Sequence, residues 1–300
     1  MTGLTIRFRS GRRAGYALML TAALLYAAGG NAVKALFRLG EQPIVMAQLR
    51  IGFAFAWLLL ALALMRPALL RVRRSELPGL AIFGIVAVAG VQATYYIAIA
   101  RINIGIATFV EFSALIGVAA WERIRRGQPV AGRVWLSLAL VLTGAFFMVG
   151  AYRPELFRLN LAGIGLSLLA AIFFAVFLLR TSTLVQRIPP TTVLFYGFGF
   201  GTAGWILYDL LLRPPLPSRL LVWSAMALIG LLGTLTPFTL EAIALRFLRP
   251  SVVGIIQTAE PLFAGLIAFA VFGDLLEPPQ VIGALVVAAG IILVQARAED

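Results

Sequence analysis

Residues 15–36 read GYALMLTAALLYAAGGNAVKAL, and residues 163–184 read GIGLSLLAAIFFAVFLLRTSTL. Laid on one another without a gap they share Gly15/Gly163, Leu18/Leu166, Leu20/Leu168, Ala22/Ala170, Ala23/Ala171, Ala27/Ala175 and Leu36/Leu184. Each is an apolar run long enough to cross ~30 Å of hydrocarbon at about 1.5 Å per residue. Outward from this pair, ten such runs fill the chain: 15–37, 43–65, 77–99, 104–121, 132–151, 160–182, 191–212, 220–245, 251–272 and 279–296. The third matches the eighth through Gly84/Gly230, Ile97/Ile243 and Ala98/Ala244, and the fifth matches the tenth through Val141/Val287 and Gly144/Gly290. Ala/Leu-rich helices share identities by chance, so the weight lies on the preserved order of five spans. A unit of five spans ends on the side opposite to its start, and its copy therefore enters the membrane upside down. The expected fold is an all-α integral membrane protein of ten transmembrane helices, arranged as two inverted five-helix repeats over 15–151 and 160–296. A basic segment, 1–14, precedes them and a short tail, 297–300, follows.

Composition agrees. Of 300 residues, 61% are hydrophobic and 12% charged, with a mean hydropathy of +0.99, against about 25% charged in soluble domains. The net charge of +13 does not point to nucleic acid, because the arginines flank apolar spans as the positive-inside rule expects. With the N-terminus in the cytoplasm, seventeen cations fall on the cytoplasmic side and seven on the other. The clusters Arg7-Arg9-Arg12-Arg13, Arg66-Arg71-Arg73-Arg74 and Arg123-Arg125-Arg126 all share that side. Both termini are thus expected in the cytoplasm, and no cleavable signal is evident. There is no Cys and no His, which removes thiol chemistry, imidazole bases and the usual zinc or haem ligands. No cofactor, metal or enzymatic activity is expected.

A charge at mid-membrane depth costs ~2.5–3.5 kcal/mol or more on insertion scales, so it needs a partner or a function. Lys34 lies near the outer end of span 1, Arg50 about 9 Å into span 2, and Glu111 about 10 Å into span 4 from the same side. The simplest reading is an ion pair between Glu111 and Arg50 or Lys34. Glu260 lies about 12–13 Å into span 9 and precedes Pro261, which removes a backbone donor and kinks the helix. It would meet Lys34 or Arg50 across the repeat interface, or be held as the neutral acid. Glu241 reads as a helix-end partner of Arg246, and Asp209, Arg101 and Arg180 as snorkelling side chains. Gly233 and Pro237 mark a second flexible point. Gly29-Gly30-Asn31, Gly197/Gly201 and Gly283/Gly290 read as close-packing seams. Tyr26, Gln92, Tyr95, Tyr96, Phe173, Phe174, Phe195 and Tyr196 are available to shape a cavity, and Trp121, Trp135, Trp205 and Trp223 read as interface anchors.

Gly254-Ile255-Ile256-Gln257-Thr258-Ala259-Glu260-Pro261-Leu262, then Phe272-Gly273-Asp274 and a last span with Gly283 and Gly290, resembles the second-repeat signature of the drug/metabolite transporter superfamily, in its EamA-like ten-span members. Residues Gly29 to Phe37, Ala47-Gln48-Leu49-Arg50 and Gly105 to Phe112 are similar to its threonine/homoserine exporter branch. The chain departs from the pattern at Phe112, where many relatives carry proline, and at Asp274, where the family usually has Glu. The resemblance implies an inner-membrane secondary transporter, commonly an exporter of amino acids or other small metabolites.

The expected site then consists of Lys34 or Arg50 for a substrate carboxylate and Glu111 or Glu260 for an ammonium, with Asn31, Gln92, Tyr95 and Tyr96 supplying hydrogen bonds. The halves would rock about Pro237 and Pro261. No nucleotide-binding motif is present, so a gradient would drive export, with a carboxylate available to a coupling proton. The expected partners are a small-molecule substrate and the lipid bilayer, and no oligomeric state is assigned. Export of lipophilic cations is the rival transport reading, and a structural membrane subunit the rival from another class.

Overall fold

The structure, a computed structural model, describes residues 2–127, 129–153, 160–273 and 275–296. Arg158, Asp274 and the tail 297–300 lie outside the described residues. The described residues hold helices and no strand. In order these are α1 (Thr2–Phe37), α2 (Pro43–Met65), α3 (Arg74–Ile99), α4 (Ile104–Ile124), α5 (Gly132–Met148), α6 (Leu161–Leu184), α7 (Pro190–Leu212), α8 (Leu220–Ala244), α9 (Pro250–Val271) and α10 (Pro278–Ala296). Apart from α1, each starts and ends close to the apolar run expected for it. The first helix runs back to Thr2, so residues 2–14 of the basic segment continue the first span rather than standing apart from it.

Among the described residues, eight helices are long and apolar enough to cross a membrane: α1 from Gly11, α2, α3, α4, α6, α8, α9 and α10. α5 is a shorter apolar helix of 17 residues. α7 has 23 residues, but Thr191, Thr192, Tyr196, Asp209 and four glycines dilute its hydropathy. Large apolar side chains such as Leu64, Ile172, Leu210 and Ile292 are exposed on the outside of the bundle, as a hydrocarbon solvent requires. The chain is a multi-pass membrane protein.

Local chemistry sets the helix ends and the irregular turns. Pro43, Pro190 and Pro250 occupy first turns, where a missing N–H leaves nothing unsatisfied. Asn103 and Asn160 cap α4 and α6 by accepting from the N–H of Gly105 at 2.8 Å and Gly163 at 3.1 Å. α3 and α8, third in their halves, each carry a π-helical stretch, Phe83–Ala89 and Leu231–Leu235. α4 and α9, fourth in their halves, each break into two pieces, at Ser113 and Thr258. In α9 the cause is Pro261, which cannot donate to the Gln257 carbonyl; the bend opens one turn ahead of the proline. In α4 the break occurs without a proline, and the sequence pattern does not anticipate it.

The halves interlock. α1 packs on α8 and α9, and α6 packs on α3 and α4, so the first helix of each half lies against the third and fourth of the other. α2 meets α7 and α8, and α5 lies along α10. Glycines allow the tightest crossings. A Cβ on Gly29 would stand 2.8 Å from the Gly233 Cα, and one on Gly144 would stand 2.6 Å from the Gly283 oxygen. Overpacking such a contact costs roughly 1–3 kcal/mol. Gly144→Leu is therefore expected to lower the melting temperature in detergent, whereas Gly117→Leu, which faces open space, leaves it unchanged. Equal melting of the two variants would contradict the α5–α10 seam.

Candidate functional site

Two connected spaces lie between the halves. A vestibule of about 450 Å³ opens at the end of the bundle carrying Asn103, Gly105, Val149 and Leu275. Beneath it is a chamber of about 120 Å³. Tyr26, Arg50, Tyr95, Tyr96, Thr108 and Glu260 line both and form the junction.

The eight residues expected at the site all face these spaces. Asn31 and Lys34 line the vestibule, Gln92 and Glu111 the chamber, and Arg50, Tyr95, Tyr96 and Glu260 the junction. Of the two expected hinges, Pro261 faces the vestibule, while Pro237 is buried behind the chamber.

Arg50 is held on three sides. It is 8% exposed, and it donates from Nε to Thr234 Oγ1 at 3.1 Å, from Nη1 to Tyr96 Oη at 2.6 Å and from Nη2 to the Gly233 carbonyl at 3.2 Å. The last contact follows from Pro237. The proline has no N–H to offer the carbonyl four residues back, and Arg50 takes that oxygen instead. An arginine of the first half thereby fixes the deformed turn of the second. The ion pair expected between Arg50 or Lys34 and Glu111 is absent among the described residues; neutral acceptors from α3 and α8 sit nearer to the guanidinium and occupy it.

Asn31 donates to the carbonyls of Ala27 at 3.0 Å and Ala264 at 3.3 Å, tying α1 to α9. Tyr95 Oη and Thr108 Oγ1 share a hydrogen bond of 2.7 Å. Glu241 corrects the helix-end reading. It is buried, it accepts from Tyr26 Oη at 2.7 Å, and it lines the chamber; the packing of α1 on α8 puts Tyr26 over it and leaves Arg246 elsewhere. Trp205 is likewise buried rather than at an interface, and Asp209 is partnered by Gln48 Nε2 at 3.3 Å. Phe174, Phe177, Phe238 and Gln257 are also in the chamber wall. Only Phe174 among these is in the sequence-based set, because an aromatic on an apolar helix carries no sign of the face it presents.

Beyond the chamber the helices are packed by rings and by buried polar bonds. Tyr26, Phe83, Phe177, Phe198 and Phe238 form a chain of ring contacts with centroids 5.3–5.8 Å apart. Below it Glu122, fully buried, accepts from the Ser251 N–H at 3.2 Å and Oγ at 2.7 Å, joining α4 to the start of α9. Arg126 donates to Leu179 O, Ser182 Oγ and Thr183 Oγ1 at the end of α6. Glu122 and Arg126 are missing from the expected site because they read as part of a basic loop.

At the open mouth, Arg153 and Tyr152 bond to Glu277. The Arg153 hydrogen bond holds the Glu277 carboxyl below its usual range. This clasp is present above the ordinary glutamate pKa and is lost as pH falls through the lowered one. Both partners are exposed, so Glu277→Gln is expected to leave the neutral-pH melting temperature nearly unchanged.

Comparison with known proteins places the geometry. The EamA-like transporter family matches residues 13–150 and again residues 161–296. The chain is 27% identical over 286 residues to the threonine/homoserine exporter RhtA of Escherichia coli K12, covering 91% of this chain and 88% of that one. It is 26% identical over 288 residues to an Archaeoglobus fulgidus protein named as an uncharacterized transporter, covering 95% and 97%. A solved crystal structure superposes with a TM-score of 0.82 at 16% identity, covering 96% of this chain and 99% of that one, which speaks to the fold alone.

Proposed function

The chain belongs to the EamA-like transporter family, and on that premise we propose that it exports amino acids or similar small zwitterionic metabolites across the inner membrane by alternating access. In this reading all ten helices span the bilayer as two inverted five-helix halves, 15–151 and 160–296, with both termini in the cytoplasm. The pairwise exchange of contacts between the halves, and the matched irregular turns in their third and fourth helices, support that arrangement. Transporters built this way carry their sites near the midplane at the repeat interface.

One observation carries the substrate class. A buried guanidinium and carboxylates line one cleft between the halves, with Arg50 and Glu260 together at its junction. A zwitterion supplies the complement of each. Arg50 spends three of the five N–H groups of an arginine on the protein and has two left for a carboxylate. Lys34 in the vestibule is a first point of attraction, and Asn31, Gln92, Tyr95, Tyr96 and Glu111 complete the wall. With the N-terminus inside, the open vestibule faces outward and the seal at Glu122 and Arg126 faces the cytoplasm. Pro237 and Pro261 lie beside the turns that would deform as the seal opens. The family resemblance of Gly105 to Phe112, and the named function of the Escherichia coli relative, favour amino acids as the substrate class. The test is counterflow in proteoliposomes loaded with unlabelled amino acids: at least one labelled amino acid of the panel is expected to accumulate transiently. Absence of counterflow for every amino acid in a full panel overturns the proposal.

A further inference from the structure

The chamber has a property that a seat for an amino acid's own carboxylate and ammonium does not need. Its walls hold buried acceptor oxygens that the protein leaves unanswered. Glu241 is 1% exposed; one carboxylate oxygen takes the Tyr26 hydroxyl, and the other has no partner. The Gln257 Oε1 is buried without a partner too. Gln92, 9% exposed, and Glu111 make no hydrogen bond among the described residues, and both face the same space. Buried polar atoms are paired in the great majority of cases, so the two bare oxygens of Glu241 and Gln257, with Gln92 and Glu111 facing the same space, mark the place of a ligand.

The sign of the missing ligand follows from the sign of the walls. Glu111 and Glu241 line the chamber and Glu260 its entrance, against Arg50 alone, whose guanidinium is turned to Thr234, Tyr96 and Gly233. The apolar part of the wall is mostly rings, those of Tyr26, Phe112, Phe174, Phe177 and Phe238, with the aliphatic Ala87, Val88 and Val91 beside them. Ring faces attract cations and gain more as water is excluded. A substrate held at the junction by its α-carboxylate on Arg50 and its α-ammonium on Glu260 has only its side chain to extend inward. We propose that the chamber is a side-chain pocket selecting amino acids whose side chain ends in a cationic group, an ammonium or guanidinium, as in ornithine, lysine or arginine. The inference rests on the amino-acid reading of the junction and adds to it the class of side chain. A neutral side chain of equal length enters the same space but leaves the acceptors of Glu241, Glu111 and Gln257 unanswered.

The test compares lysine and ornithine with norleucine, whose side chain has similar length and no charge, as competitors of counterflow by the full-length protein. Lysine and ornithine are expected to inhibit at concentrations at least tenfold below norleucine. In Glu241→Gln, and independently in Glu111→Gln should the first fold poorly, the lysine-to-norleucine selectivity ratio is expected to fall at least tenfold, judged on the ratio rather than on the transport rate. Norleucine equal to or better than lysine, or a ratio unchanged in a folded variant of either residue, overturns the pocket while leaving amino-acid transport in place. Absence of exchange with any amino acid overturns the transport reading, and the pocket with it.

Discussion

Arg50→Ala is expected to abolish counterflow and to lower the melting temperature, and the two losses have separate causes. The guanidinium is the buried cation at the junction and the proposed seat of the substrate carboxylate. It also satisfies Tyr96, Thr234 and the Gly233 carbonyl, to which Pro237 has no N–H to donate. Hydrogen bonds to a charged group contribute roughly 1.5–3 kcal/mol each, partly offset by the relief of no longer burying a charge. A net destabilisation of a few kcal/mol is expected. Arg50→Lys should recover part of the stability and little of the transport, because a single ammonium cannot reach three acceptors spread over two helices and still face the cleft. Wild-type rates in Arg50→Ala would remove the residue from the site. Wild-type melting with lost transport would leave it at the site and remove its bracing of α8.

Glu260→Gln is expected to behave in the opposite way on stability. The side chain faces both spaces and makes no hydrogen bond to the protein among the described residues, so the isosteric amide leaves nothing unpaired that was paired before. Melting should stay within error or rise slightly. Transport should fall roughly 10- to 150-fold, the equivalent of about 1.5–3 kcal/mol for one charge-assisted bond to the substrate. The pair of variants separates a brace from a binding group. Should Arg50→Ala and Glu260→Gln both carry substrate normally, the junction is not the site, whatever the fold.

Much of this arrangement is legible in the amino-acid sequence. Apolar length fixes where helices run, because a span must satisfy its own backbone and a run of about 20 residues is the only economical way to do so. The charges at 34, 50, 111 and 260 stand out because hydrocarbon makes each costly. Depth and direction are less legible. Counting residues puts Glu241 near a helix end, beside Arg246; only the packing of α1 across α8 shows it beneath Tyr26. The pairing of Arg50 is misjudged for a related reason. Sequence advertises the carboxylates as partners but hides the carbonyl that Pro237 frees and the π-helical turn that aims it. The break at Ser113 has no proline to announce it. Glu122 sits among arginines that suggest a solvated loop, whereas its oxygens are taken by Ser251 in the neighbouring half.

The central claim is that one cleft between the two halves is reached from each side of the membrane in turn. The chain contains no cysteine, so a single Thr108→Cys at the junction needs no altered background. Its modification by a membrane-impermeant maleimide should be measured from each face, in vesicles of both orientations, with and without saturating substrate. The account predicts labelling from both faces, with the substrate shifting reactivity from one to the other. Labelling confined to one face under every condition would contradict it.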